Sequence, residues 1–80
     1  MYYIATFYSH FGAMRFKQDM KGISAPRLMP VPRKLSSSCG TCVRFEGPED
    51  FSFSHDTSGE IEQIVRETGT GYECIFRAAD

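Results

Sequence analysis

The residues with the greatest chemical capability lie together near the middle of the chain. Cys39 and Cys42 are separated by two residues in Ser36-Ser37-Ser38-Cys39-Gly40-Thr41-Cys42. A thiolate is both a nucleophile and a metal ligand, and it forms more readily beside positive charge or at a helix N-terminus. The loop cysteine Cys39 is therefore the first candidate for a reactive thiol. Cys42 is either a second thiol for it or simply a small residue of the following strand.

The neighbours of this loop predict that it attracts negative charge. Arg33 and Lys34 precede it, and Ser9 and His10 are expected to lie near it at the start of a helix, where free N–H groups bind anions. A glycine lets the backbone approach a bound anion closely. The predicted anion- or partner-binding residues are Ser9, His10, Arg33, Lys34, Ser36, Ser37, Ser38 and Gly40. Two alternatives stay open: Arg33 as a solvated charge at a sheet edge, and His10 as the cap of a turn.

Metal and cofactor chemistry have weaker support. A closed zinc site needs four ligands, so one C-x-x-C pair does not complete a site, although two chains could share four thiols around one ion. We predict no metal ligand set within a single chain and no cofactor, because no phosphate-binding loop, dinucleotide-binding glycine motif or metalloprotease motif is present. Cys74 alternates with aromatic residues and is predicted to be a buried small hydrophobe, whereas His55 is expected to be solvent-exposed.

Length and charge limit the classes of function. The 80 residues suffice for one domain spanning residues 1–80, and the core of so short a chain is modest. A net charge of −1 lacks the basic surplus of a nucleic-acid binder, so no nucleic-acid partner is predicted. No apolar run approaches the length of a membrane span and no signal peptide is recognisable, so we expect no membrane partner and a cytoplasmic location.

The order of predicted elements indicates a ferredoxin-like α+β domain. Helical spacing predicts a first helix over Phe11 to Lys21, and the capping box Thr57-x-x-Glu60 predicts a second helix with the stripe Ile61, Ile64, Val65 and Thr68. Strands are predicted over Tyr2 to Tyr8, Pro26 to Leu35, Thr41 to Glu46 and Tyr72 to Arg77, with a loop over Phe51 to His55. This βαββαβ order implies an antiparallel four-stranded sheet with two helices on one face. Its strand order, 4-1-3-2, would place the proline-rich second strand at an edge and the apolar first strand in the centre.

Four short motifs resemble a known family of small bacterial domains, the putative selenium/sulfur carrier protein-like family. They are Thr6-Phe7-Tyr8-Ser9-His10, Pro30-Val31-Pro32-Arg33, Ser36-Ser37-Ser38-Cys39-Gly40 and Arg44-Phe45. The resemblance implies a carrier or accessory protein more than a self-contained enzyme. Cys39 would hold a sulfur or selenium atom as a persulfide or selenosulfide, and the partner would be a sulfur- or selenium-processing enzyme. Cys42 stands where the family pattern has a small or aliphatic residue.

A second hypothesis belongs to a different class of function. A ferredoxin-like domain can also serve as a ligand-sensing or protein-interaction module. In that case the sheet face with Tyr2, Ile4 and Tyr8 would form a homodimer, with or without an intersubunit zinc ion, and Cys39 would be incidental. A carrier must lose its activity in Cys39→Ser, whereas a binding module must keep it.

Overall fold

The computed structural model describes residues 1–54 and 56–79, so the expected exposure of His55 lies outside the described residues. The elements are β1 (Tyr2–Phe7), α1 (His10–Asp19), β2 (Ser24–Pro30), β3 (Thr41–Glu46), β4 (Ile61–Glu67) and β5 (Tyr72–Arg77). The strands form one five-stranded sheet in the order β2-β3-β1-β4-β5, and every neighbouring pair is antiparallel. Within the described ranges α1 is the only helix, and it is not long and apolar enough to cross a membrane.

The predicted ferredoxin-like arrangement is wrong, because the segment predicted as the second helix is strand β4. In the β1–β4 ladder Thr6 pairs with Gln63 and Phe7 pairs with Ile61, so Glu62 is an extra residue that forms a β-bulge. The bulge places Ile61 and Ile64 in the same core cluster although they are three residues apart. A spacing of three imitates the apolar stripe of a helix, and this is the physical reason for the wrong prediction.

The predicted capping box is a turn organised by an aspartate. The Asp56 carboxylate accepts bonds from the Ser58 N–H and hydroxyl at 3.0 and 2.7 Å, and from the Ile61 N–H at 3.1 Å. Gly59 has a φ of 73°, a conformation that favours glycine. These bonds turn the chain directly into β4. Partial burial is the largest single influence on the pKa of Asp56 and raises it. The hydrogen bonds together outweigh burial, so the pKa lies below its ordinary value.

Both faces of β1 are buried, which confirms its predicted central position. On one face α1 covers the main core, which comprises Tyr3, Ala5, Phe7, Ala13, Phe16, Val43, Phe45, Ile61 and Ile64. On the other face a smaller cluster of Ile4, Cys42 and Val65 is covered by Met29, Val31, Leu35 and Tyr72. The segment that follows β2 therefore acts as a lid for the second face, in the place where a layered α/β protein would have a helix.

Both edges of the sheet are irregular. The edge position of the proline-rich strand β2 is confirmed, and its register shifts between Ser24 and Arg27, where Ala25 has a φ of 50°. The other edge, β5, carries a register shift opposite Ile64 and Val65. Prolines and bulges at edges discourage pairing with a further strand.

Candidate thiol site

The loop over residues 31–40 joins β2 to β3 and is attached to the sheet at several points. The Val31 N–H donates to the Gly40 carbonyl at 3.0 Å and closes the loop, and Gly40 has a φ of 76°. The Ser37 hydroxyl donates to the Phe7 carbonyl at 3.2 Å, at the end of β1. The Gln63 amide donates to the Ser36 carbonyl at 3.3 Å. These contacts fix the backbone that presents the candidate thiol.

Cys39 is a free, partly exposed thiol whose side chain packs against the edge of the helix-side core. Its Sγ lies 3.3 Å from the Thr41 carbonyl oxygen and is placed to donate to it. The Thr41 hydroxyl lies 3.4 Å from Nδ1 of His10, the first residue of α1. Cys39 and His10 therefore contact the same residue, and the structure brings the loop and the helix start together.

The start of α1 already holds a carboxylate. Ser9 is the N-cap residue, as predicted, and its hydroxyl accepts the Gly12 N–H at 3.1 Å. The same hydroxyl donates to Oε2 of Glu60 at 2.7 Å. A carboxylate at a helix N-terminus is favoured by the partial positive charge there. The sequence predicted that Ser9 would bind an incoming anion, but the Ser9 hydroxyl already donates to Glu60 of the same chain.

Glu62 is a residue of the site that sequence reasoning missed. Its carboxylate accepts both donors of Ser38, the N–H at 3.0 Å and the hydroxyl at 2.7 Å. The β-bulge of β4 directs Glu62 to this loop, because bulges re-aim side chains. Placing Glu62 in a helix hid this contact, and no motif in the sequence signals it.

The two basic residues of the predicted set lie at the surface of the loop, ahead of the thiol in the chain. Arg33 and Lys34 are both exposed, and neither forms an ion pair within residues 1–54 and 56–79. Lys34 lines a surface cavity with Glu67, Tyr72 and the intervening turn, and Cys39 does not line this cavity. An anion-binding role for Arg33 and Lys34 therefore stays a prediction.

Cys42 lies on the opposite face of the sheet from α1 and is completely buried. Burial is the main cause that raises the pKa of its thiol to about 11, and the nearby Cys39 thiol adds to the effect. Its Sγ lies 3.6 Å from the Pro30 carbonyl. The environment favours a neutral thiol, and Cys42 is not bonded to Cys39.

The prediction that Cys74 is buried is wrong. Cys74 is exposed, because it lies on the edge strand β5, and its Sγ is 3.5 Å from the Phe76 carbonyl. Alternation with aromatic residues indicated a strand, but it did not reveal which strand is at the edge. The protein consequently has a second accessible thiol, which any test of Cys39 must take into account.

No group of three or more His, Cys, Asp or Glu side chains in the described part of the chain is arranged to hold a metal ion. A zinc ion shared between two chains stays a prediction, as does the homodimer.

The comparisons with known proteins give one match. The sequence pattern of the family described as putative Se/S carrier protein-like matches residues 2–77. The chain belongs to this family. The resemblance noted from the motifs around Arg33 and Cys39 is thereby confirmed, and it extends over nearly the whole chain. Neither the curated proteins nor the solved structures contain a match.

Proposed function

We propose that this protein is a carrier that accepts a sulfur or selenium atom on Cys39 and passes it to another protein. Membership of the Se/S carrier protein-like family supports the carrier class. The observation that supports Cys39 is its position as a free, partly exposed thiol on a loop attached to the central strand. Cys42, by contrast, is buried and is held in its neutral form.

The chemistry required is a transfer between sulfur atoms. The Cys39 thiolate attacks the outer sulfur of a donor persulfide, a new S–S bond forms, and the S–S bond of the donor breaks. The inner sulfur of the donor leaves as a thiolate and takes up a proton. Attack by an acceptor on the outer sulfur of Cys39 then returns the thiolate, and no external oxidant or reductant is needed.

The partner would be a sulfur- or selenium-processing enzyme, and the protein would act as an accessory to it. A carrier thiol must stay reduced between transfers, so the protein would work in a reducing compartment such as the cytoplasm. Cys39 is partly exposed, which leaves its thiol open to approach by a partner protein.

Intact-mass measurement after incubation with a cysteine desulfurase and cysteine tests the proposal. We expect one or more sulfur atoms to add to the reduced protein and to be removed by dithiothreitol. The adduct should be lost in Cys39→Ser and kept in Cys74→Ser, which is the matched control because Cys74 is the other accessible thiol. An adduct that survives in Cys39→Ser, or no adduct while a control acceptor is loaded normally, would contradict the proposal.

A further inference from the structure

Several hydrogen-bond donors near Cys39 are already bonded to carboxylates of the same chain. This arrangement affects whether the chalcogen can arrive at Cys39 as an oxyanion. An oxyanion such as selenite needs hydrogen-bond donors and positive charge, as in the anion sites at helix N-termini. Two hydrogen-bond donors of the loop belong to Ser38, the residue before Cys39, and both are bonded to the carboxylate of Glu62. The N–H of Cys39 itself lies 3.4 Å from the Ser37 hydroxyl and donates to it. The side chain at the start of α1, Ser9, is bonded to the carboxylate of Glu60.

We infer that the carrier takes its chalcogen in reduced form, from the outer atom of a persulfide or selenopersulfide, and discriminates against selenite and similar oxyanions. This inference rests on the proposed function. Glu62 is its specificity-determining residue, because its carboxylate occupies the donors of Ser38 and places a negative charge beside the thiol loop. An oxyanion would have to displace that carboxylate and approach a like charge.

The two sources of the chalcogen atom, a persulfide and selenite, require different groups in the site. Transfer from a persulfide forms one S–S bond and breaks another, and the charge that develops is on sulfur, so no oxygen-binding donors are required. Condensation of selenous acid with the thiol forms an S–Se bond and releases water. The selenium reagent carries negative charge at neutral pH, and its oxygens would seek the N–H and hydroxyl that Ser38 already donates to Glu62.

The experiment compares glutathione persulfide and sodium selenite as probes, at equal concentration, on the reduced full-length protein, with intact-mass detection. Every protein compared, the wild-type reference included, carries Cys74→Ser, because Cys74 is the other accessible thiol. The test variant is Glu62→Gln, which removes the charge. The control variant is Glu49→Gln, which makes the same change of charge at an exposed position in the loop after β3. Ser38→Ala serves as a second variant, since it removes one of the two hydrogen bonds from Ser38 to Glu62 and leaves the charge of Glu62 in place.

We expect the wild-type protein to gain sulfur from glutathione persulfide at Cys39 and to gain selenium from selenite more slowly. Glu62→Gln should raise the selenite rate about five-fold, as expected from removing one partly screened charge close to the thiol, and should leave the persulfide rate within about two-fold. Glu49→Gln and Ser38→Ala should not raise the selenite rate by this amount.

The outcomes separate the inference from the proposed function. Selenite loading of the wild-type protein as fast as persulfide loading, or an unchanged selenite rate in a folded Glu62→Gln variant, overturns the inference and leaves the carrier proposal standing. Failure of both probes to modify Cys39, while the same probes modify free cysteine normally, overturns both.

Discussion

Thr6 lies directly opposite Cys42 in the β1–β3 ladder, and the Thr6 hydroxyl is completely buried without a hydrogen-bond partner in the described part of the chain. On the other side of Thr6 lies Gln63, which uses its amide N–H to bond the Ser36 carbonyl. A buried polar group without a partner costs about 1–3 kcal/mol.

The first prediction follows from this unsatisfied hydroxyl. Thr6→Val has nearly the same shape and removes the desolvation penalty, so the free energy of unfolding should rise by about 1 kcal/mol. Urea unfolding followed by circular dichroism measures it. Thr41→Val is the control, because the Thr41 hydroxyl is partly exposed and has His10 within reach at 3.4 Å, so no gain is expected there. A loss of stability in Thr6→Val would mean that the hydroxyl has a partner, such as a buried water.

The second prediction concerns the pH dependence conferred by Cys42. Its pKa in the folded protein is about 11, against an ordinary value of 9.0. Between these values the unfolded chain has lost the thiol proton while the folded chain keeps it, so stability must fall as pH rises through this window. Urea unfolding at intervals from about pH 8 to 11 measures the slope. Cys42→Ala, which has no thiol to titrate, should show a smaller fall than the wild-type protein. Equal slopes for the two proteins would count against the buried neutral thiol.

The sequence was sufficient for the parts of the fold that depend on composition. The aromatic and β-branched strand β1, the edge position of the proline-rich strand and the N-cap Ser9 were all predicted correctly. These features depend on local chemistry: side-chain burial, the missing N–H of proline, and a hydroxyl that accepts a backbone N–H. Cys39 was also singled out by residue type and spacing alone, and its role stays a prediction.

The features that the sequence did not reveal depend on long-range register. Whether Ile61 and Ile64 form a helical stripe or flank a bulge depends on how β4 pairs with β1, and these strands are more than fifty residues apart in the chain. The same bulge directs Glu62 to the thiol loop. Burial of Cys42 and exposure of Cys74 likewise depend on which strands are central and which are at the edge.

The third prediction concerns Gly12, at the start of α1. Alanine normally stabilises a helix by about 1 kcal/mol relative to glycine. Here an added Cβ would lie only 2.7 Å from the Cβ of Glu60, so either the helix start or Glu60, which directly precedes β4, must shift. Overpacking of this kind costs about 1–3 kcal/mol, and we expect Gly12→Ala to destabilise the protein by about 1 kcal/mol in net terms.

Thermal and urea unfolding of Gly12→Ala measure this effect. Gly69→Ala is the matched control, because nothing lies within 4 Å of the position that its Cβ would occupy. It should change the free energy of unfolding by less than about 0.5 kcal/mol. Stabilisation by Gly12→Ala would show that Glu60 does not pack over the helix start. It would also contradict the hydrogen bond between Ser9 and the Glu60 carboxylate.

The fourth prediction concerns the ion pair between Arg44 and Glu67. Two bonds of 2.7 and 3.0 Å join the guanidinium to the carboxylate, and the guanidinium also stacks 3.9 Å from the centre of the Tyr2 ring. The hydrogen bond from Arg44 is the main cause that lowers the pKa of Glu67 below its usual 4.5. Because both side chains are about one-third exposed, solvent screening limits the contribution of the pair to about 1 kcal/mol.

We therefore expect Glu67→Gln to lower the free energy of unfolding by about 0.5–1 kcal/mol at neutral pH. A lowered carboxyl pKa contributes stability above the unfolded value of 4.5, and this contribution is lost as pH falls through the lower folded value. The difference between wild type and Glu67→Gln should accordingly shrink in acid. Asp19→Asn is the control, since the pair that Asp19 forms with Arg15 is long, at 3.9 Å, and exposed. A difference that persists unchanged at acid pH would mean that Glu67 acts through packing and not through its charge.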